Sequence, residues 1–238
     1  MSNRYFYDLH IHSALSSCAE NDMTPNNIVN MALLKGLDFI AITDHNSAEN
    51  VKAVMKCAQN KDIIVVPGME LETAEEVHLA CLFPDLESVI EYSRKIYSSL
   101  PEIKNNERIF GQQLVVDSGD KIIRIVDGLL STATRLTIDE IVENVRDMGG
   151  IAIPAHVDRK SYSVISNLGS IPECLQFSAI ELSKENEKSF IFKHPELKDY
   201  NIIISSDAHC LGNILERTSS FPAEFKSIEN LFGFLRNI

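Results

Sequence analysis

Residues 39–45 read Phe39-Ile40-Ala41-Ile42-Thr43-Asp44-His45. An apolar, partly β-branched run without polar alternation is the pattern of a strand covered on both faces, and this one ends in an acid and an imidazole. Just upstream, Thr24-Pro25-Asn26-Asn27 predicts a helix start, with Thr24 as N-cap and Pro25 at the first helical position. Ile28, Met31, Ala32 and Leu34 supply the apolar stripe of that helix, and Gly36 closes it. Residues 5–10 form an earlier apolar run. Strand, helix and strand in that order make a parallel β/α unit.

The same pattern continues outward. Further buried strands are predicted at 63–67, 77–83, 151–154, 179–182 and 202–205. Thr137-Ile138-Asp139-Glu140 is a capping box opening a helix that runs to Met148, and residues 227–235 predict a closing helix. Seven strand candidates suit a barrel-like α/β closure. No G-x-G-x-x-G follows the first strand, which removes the main support for a dinucleotide fold. The segment at about 85–135 breaks the rhythm: a helical pattern (Leu86, Val89, Ile90, Ile96), a polar stretch, then a hairpin pattern over 113–117 and 122–127. It reads as an insertion over the barrel mouth, within a single domain spanning 1–238.

Composition narrows the function classes. The chain has 34 acidic against 22 basic residues, a formal net charge of -12, and no basic tail. That balance repels a polyphosphate backbone, so a small phosphorylated substrate is expected and a long nucleic acid is not. Five cysteines are scattered without a C-x-x-C pair, and no charged-then-apolar leader precedes the first strand. The expectation is a reducing compartment, the cytoplasm. No apolar run approaches the ~18 residues of a membrane span, so no membrane is expected.

Six of the seven histidines sit at the ends of strand candidates. Asp8, His10 and His12 are spaced two apart, which in a strand puts them on one face. Asp44-His45, Glu70, His78, His156 and Asp207-Ala208-His209 follow on other strands. In a parallel barrel the strand ends converge on one mouth, so these groups predict a shared metal site. His194, on a polar stretch, is expected to do nothing catalytic.

In this order His10-x-His12, Thr43-Asp44-His45, Gly68-x-Glu70, His78, Pro154-Ala155-His156 and Ser206-Asp207-Ala208-His209 resemble the PHP (polymerase and histidinol phosphatase) family. The resemblance implies a distorted (β/α)7 barrel carrying two or three divalent ions, Zn, Mn or Fe, and phosphoesterase activity. It assigns His10, His12, His45, Glu70, His78, His156, Asp207 and His209 as metal ligands, with Glu70 bridging. Many members carry a further Asp ligand where this chain has Ser17; Glu20 or Asp22 is expected to substitute, ahead of the softer Cys18, on the hardness of a Mn- or Mg-like site. The implied reaction is hydrolysis of a small phosphomonoester or nucleotide by metal-activated water. Asp207 and Asp44 are expected to orient ligands or water, and Arg159, with Lys160 beside it, to hold the phosphate. Two other classes compete: an amidohydrolase-like C–N hydrolase, disfavoured because no strand ends in lysine, and a non-catalytic metal- or nucleotide-binding module.

Overall fold

The computed structural model describes residues 3–184 and 187–236. The first half comprises β1 (Asn3–Ile11), α1 (Pro25–Leu34), β2 (Phe39–Ile42), α2 (Val51–Ala58), β3 (Ile64–Glu72) and β4 (His78–Leu82). Next come α3 (Leu86–Ser99), α4 (Glu107–Phe110), β5 (Leu114–Val116), β6 (Ile122–Ile125), α5 (Ile138–Asp147) and β7 (Ile151–Pro154). The chain continues with α6 (Val164–Leu168), β8 (Ala179–Ser183), α7 (Glu187–Lys193), β9 (Asn201–Ser205), β10 (Ser220–Ala223) and α8 (Ile228–Leu235).

Six strands form one curled, half-barrel sheet in the order β10-β1-β2-β3-β4-β7, and β8 pairs with β9 in a separate parallel ribbon. The ribbon packs beside β7 and β1, with Val157 N donating to Glu181 O at 2.9 Å and Ala208 N to His10 O at 3.2 Å. The expected all-parallel seven-stranded barrel is therefore replaced by a mixed sheet. β1, β2 and β3 are parallel, whereas β4 runs antiparallel to both β3 and β7, and β10 antiparallel to β1. The cause is local: only residues 73–77 separate β3 from β4, too few for a crossover helix, so the chain must turn back on itself.

Period-2 alternation divides the strands between two cores. Tyr7, Leu9, Phe39, Val66, Ala80, Leu82, Ile153, Ala179 and Ile203 pack together with Phe221 and with Leu231, Phe232 and Leu235 of α8. Ile40, Ile42, Val65, Met69, Cys81, Ala152 and Ile180 form the other face, against α1, α2, α3 and α5. Both faces are apolar, which is why the strands read as continuous hydrophobic runs. Thr137 and Glu140 form the predicted capping box on α5. Thr24 precedes α1, but its hydroxyl makes no cap bond, and Pro25 alone marks that start.

The predicted hairpin of the insertion is β5–β6, and it leans on loops of the main sheet. Leu114 N donates to Ala14 O at 2.8 Å, Asn50 Nδ2 to Leu114 O at 2.9 Å, and Asn46 Nδ2 to Leu130 O at 2.7 Å. Gly111, at φ +96, lies so close to the loop after β1 that a Cβ there would stand 2.2 Å from Ser17 O. Among the described residues no helix is long and apolar enough to cross a membrane, and all five cysteines are free.

Candidate metal centre

The alternation that builds the inner core also aims the polar groups. Counting in twos from inner-core residues, Val66 leads through Gly68 to Glu70, Leu82 through Ala80 back to His78, Ala179 to Glu181, and Ile203 through Ser205 to Asp207. Because β4 runs in reverse, His78 begins its strand at the same end where Glu70 nears the close of β3, and the two are neighbours. The β1–β2 register slips between Asp8 and Ile11, an irregularity that re-aims His10 and His12. Asp8 accordingly leaves the group: it accepts from Ser206 N, Ser206 Oγ and Leu215 N at 3.0, 2.6 and 2.9 Å. His156 and Asp207 adopt left-handed backbone, φ +32 and +49, a conformation non-glycine residues hold only under constraint.

Glu70 lies at the centre, buried among five imidazoles. His78 Nδ1 stands 2.8 Å from Oε1, His156 Nε2 3.2 Å and His10 Nε2 3.4 Å; His45 Nδ1 lies 3.0 Å and His12 Nε2 3.3 Å from Oε2. Asp207 Oδ1 sits 3.0 Å from His12 Nε2 and 3.4 Å from His10 Nε2, and its Oδ2 accepts from Arg159 Nη1 at 2.6 Å. Three overlapping groups hold donor atoms within 4.8 Å of one another: His10, His12, Glu70 and Asp207; His45, Glu70 and His78; His12, His45 and His209.

The tautomers are fixed from outside the cluster. His10 Nδ1 faces Glu181 Oε1 and Oε2 at 2.9 and 3.1 Å, and His209 Nδ1 donates to Asp207 O at 2.8 Å. His12 Nδ1 meets Ser16 Oγ at 2.9 Å, and that hydroxyl donates to Asp44 Oδ1 at 2.7 Å. The inward nitrogens of His10 and His12 then face each other 3.3 Å apart, each with a lone pair unless protonated. His156 Nδ1, His78 Nε2 and Asp207 Oδ1 are buried without hydrogen-bond partners. Divalent ions among these nitrogens and carboxylates would satisfy the facing lone pairs and the buried oxygen, and an imidazole–carboxylate donor set suits first-row metals.

The carboxylates of the cluster also favour protonation of its imidazoles. Burial alone would push His12 and His78 down, but carboxylates outweigh it, Asp207 and Glu70 for His12 and Glu70 and Glu72 for His78, and both rise from 6.5 to about 9. His10, whose burial is opposed chiefly by Glu181, is raised further, and His45 is raised beside Glu70. Burial would raise Glu70, but the imidazoles around it hold its carboxyl well below the usual range; Asp207 is likewise lowered, by His10 and His12. His209 goes the other way: burial and the neighbouring His12 lower it to about 4, leaving a neutral ring.

The structure thus brings together His10, His12, His45, Glu70, His78, His156, Asp207 and His209, with Arg159 at the rim. Asp44 touches no ligand atom directly and reaches His12 through Ser16. Glu20 and Asp22 are exposed and lie in none of the three groups. Ser17 turns to Ser131 of the insertion at 3.4 Å. His194 lies away from the cluster, paired with Glu196. Glu181, Glu72 and Ser16 went unread in the sequence. Glu181 had a signal: one acid inside the apolar run Ala179-Ile180-Glu181-Leu182, on the inward face. Ser16 had none, because its role depends on how the loop after β1 folds.

The family model of the PHP domain matches residues 8–191, 184 of the 238 residues. Uncharacterized protein MJ0043 of Methanocaldococcus jannaschii is 30% identical over 149 residues, 63% of this chain but only 16% of that protein. Among solved structures, the lesion-specific endonuclease PfuEndoQ of Pyrococcus furiosus superposes with a TM-score of 0.73 at 20% identity, covering 99% of this chain and 56% of the endonuclease. A Bifidobacterium adolescentis protein assigned, without a demonstrated activity, as a metal-dependent phosphoesterase matches at TM-score 0.60 and 15% identity, over 99% and 97% of the two chains. The chain therefore spans well under two thirds of the first two proteins it matches.

The expectation against a long nucleic acid does not stand. Endonuclease Q, of the same fold, has been solved with a 27-mer duplex carrying an abasic lesion at its active site. Net charge is a sum over the whole chain, whereas a ligand meets a local field. Here Arg159, Lys160 and Lys184 are exposed near the cluster, and Arg159, Lys184 and Lys35 line a cavity of about 460 Å³ that opens onto Asp207 and His156.

Proposed function

The chain belongs to the PHP domain family, and from that membership we propose that it is a metal-dependent phosphoesterase cleaving a phosphodiester bond of a nucleic-acid strand. The observation that carries this reading is the placement of Glu70 among five imidazoles, with Asp207 Oδ1 lacking a hydrogen-bond partner beside them, at the edge of a cavity whose lining includes Arg159, Lys184 and Lys35 along with Glu216. These residues would hold two or three divalent ions, which when bound would supply an acidified water and offset the charge of the phosphoryl oxygens. Glu70 would be shared by two donor groups, one with His10, His12 and Asp207 and one with His45 and His78, and His156 stands 3.2 Å from its Oε1.

The remaining residues position these. Glu181 fixes the His10 ring, and Asp44 acts on His12 through Ser16, so both are positioning residues. Arg159 spends one nitrogen on Asp207 and remains 44% exposed, which leaves its other N–H groups to grip a phosphate entering the cavity. The insertion braces the loops that carry His12 and His45 through Ala14, Asn46 and Asn50.

The test uses the full chain, stripped with chelator and reloaded with Zn, Mn or Fe. It is offered end-labelled single-stranded and duplex oligonucleotides, one duplex carrying an abasic site, and p-nitrophenyl phosphate as a monoester control. Metal-dependent shortening of an oligonucleotide is expected. Protein that binds two or more ions, yet leaves every oligonucleotide intact, would overturn the nucleic-acid reading; release of phosphate from the monoester alone would redirect it to small substrates.

A further inference from the structure

The loop after β7 reaches the cluster at three points. His156 opens it beside Glu70, Arg159 holds Asp207, and Tyr162 lies against His78. Asp207 and His78 belong to different donor groups that share Glu70, so the cation and the ring flank the cluster from separate sides. The Tyr162 ring stacks on His78 with centroids 4.8 Å apart and planes 24° from parallel. Among the described residues it is the one Tyr or Phe ring that meets an imidazole of the donor groups. Yet Tyr162 is 46% exposed, more than a ring kept only to cover a histidine would leave in water.

The backbone pins the ring in place. Tyr162 sits at φ +57, in the left-handed region that a bulky residue holds only when its surroundings dictate it, and its carbonyl accepts from His78 N at 2.9 Å. Ser163 Oγ and Ser166 Oγ donate to Arg159 O and Lys160 O at 2.8 and 2.6 Å, and Asp158 Oδ1 accepts from Ser183 N at 2.9 Å. Arg159 and Tyr162 therefore stand on one braced segment. We propose that the open side of Tyr162 is a stacking platform for the nucleobase adjoining the phosphate at the metal centre. Every base offers a π-face, so such a platform binds a strand without reading its sequence. A base inside a duplex already has neighbours on both faces, so Tyr162 takes one that has left the stack, as in a single strand or at a strand end. This inference rests on the nucleic-acid reading of the centre, but it concerns how the base is held and not which bond is cut.

Calorimetric titration of the zinc-loaded full chain reads the platform without any bond being cut. The ligands are deoxyadenosine 5′-monophosphate, its 3′ isomer, and deoxyribose 5-phosphate, which keeps sugar and phosphate but lacks the base. The parent should bind the better of the two nucleotides about tenfold more tightly than the sugar phosphate, the usual effect of one stacked base. Tyr162→Phe should keep that ratio. Tyr162→Leu, which still covers His78 but offers no ring, should bring it to within about twofold, as should Tyr162→Ala. The ratio compares ligands on one protein, so a variant that holds less zinc weakens all of them and leaves the ratio readable. A parent that binds the ligands equally, or binds none, overturns the proposal, as does a full ratio that survives in both Tyr162→Leu and Tyr162→Ala. Oligonucleotides left intact would count against the cleavage reading alone, so the two readings fail separately.

Discussion

Raising the pH from 6.5 to 9 perturbs this centre in two opposite ways, and the signs distinguish a metal site from a buried salt-bridge cluster. In the metal-free protein His12 and His78 hold protons up to about 9, against 6.5 for a free imidazole. A group whose folded value is raised stabilises the fold fully below its unfolded value and loses that contribution as pH climbs through the folded one. Counted from the imidazole side, each is worth roughly 3 kcal/mol, so the bare protein should melt markedly lower at pH 9 than at 6.5. Metal binding runs the other way, since a coordinating imidazole must shed its proton. His12 and His78 sit in different donor groups, so from either one alone the affinity for its ion should rise about tenfold per pH unit between 7 and 9. Zinc affinity is measured against a chromophoric chelator across this range, with protons counted in weakly buffered indicator dye. At pH 7.5 saturation should release at least one proton for each of these two imidazoles. Tight binding with clearly fewer than two protons released per chain, or affinity flat with pH, would refute the protonated-cluster account.

Other outcomes follow from single contacts. Glu70→Gln keeps the side-chain volume but removes the charge shared by five imidazoles; at least one ion should be lost by elemental analysis, and hydrolysis should fall to background. Glu181→Gln loosens the His10 ring and should weaken metal binding about 10- to 100-fold, the usual effect of losing a residue that orients a ligand, while the ion count at saturation is kept. Arg159→Ala should leave metal content unchanged and lower kcat/KM roughly 10- to 100-fold, the loss expected when a charged hydrogen bond to substrate disappears. Gly111→Ala forces a β-carbon against Ser17 O at a backbone angle that alanine resists; it should cost on the order of 1–3 kcal/mol in thermal melts and also weaken metal binding by shifting the loop whose Ser16 orients His12.

Much of this centre is legible in the chain because strands impose period 2. Once residues 39–45 read as a buried strand ending in Asp44-His45, every similar run could be searched at its end. His10, His12, Glu70, His156, Asp207 and His209 all lie where that search looks. His78 fits the pattern for a reason the sequence did not disclose. It begins its strand, and reaches the mouth because residues 73–77 reverse the chain; a turn that short excludes the crossover helix an all-parallel barrel requires. β10 was missed because Ser220-Phe221-Pro222-Ala223 has too few apolar residues and a proline, features tolerated at the antiparallel edge that it occupies. The contacts of the loop after β1 were beyond reach for another reason. Which of Ser17, Cys18, Glu20 and Asp22 faces the cluster is decided by hydrogen bonds to His209, Ser131 and the insertion, all remote in sequence. Charge misled most, since a whole-chain sum hides cations gathered at one mouth.

The insertion rests its weight on Ala14, Asn46 and Asn50, in the same short loops that deliver His12 and His45. It is therefore a poor cassette. A recombination event that swapped 85–135 for a homologous stretch would pull the footing from two ligands at once, so most chimaeras should fail to load metal before any change in substrate choice is visible. Change in the insertion is instead tolerated along β6, where Ile122, Ile123 and Ile125 are exposed to solvent and can vary without disturbing the loops beneath.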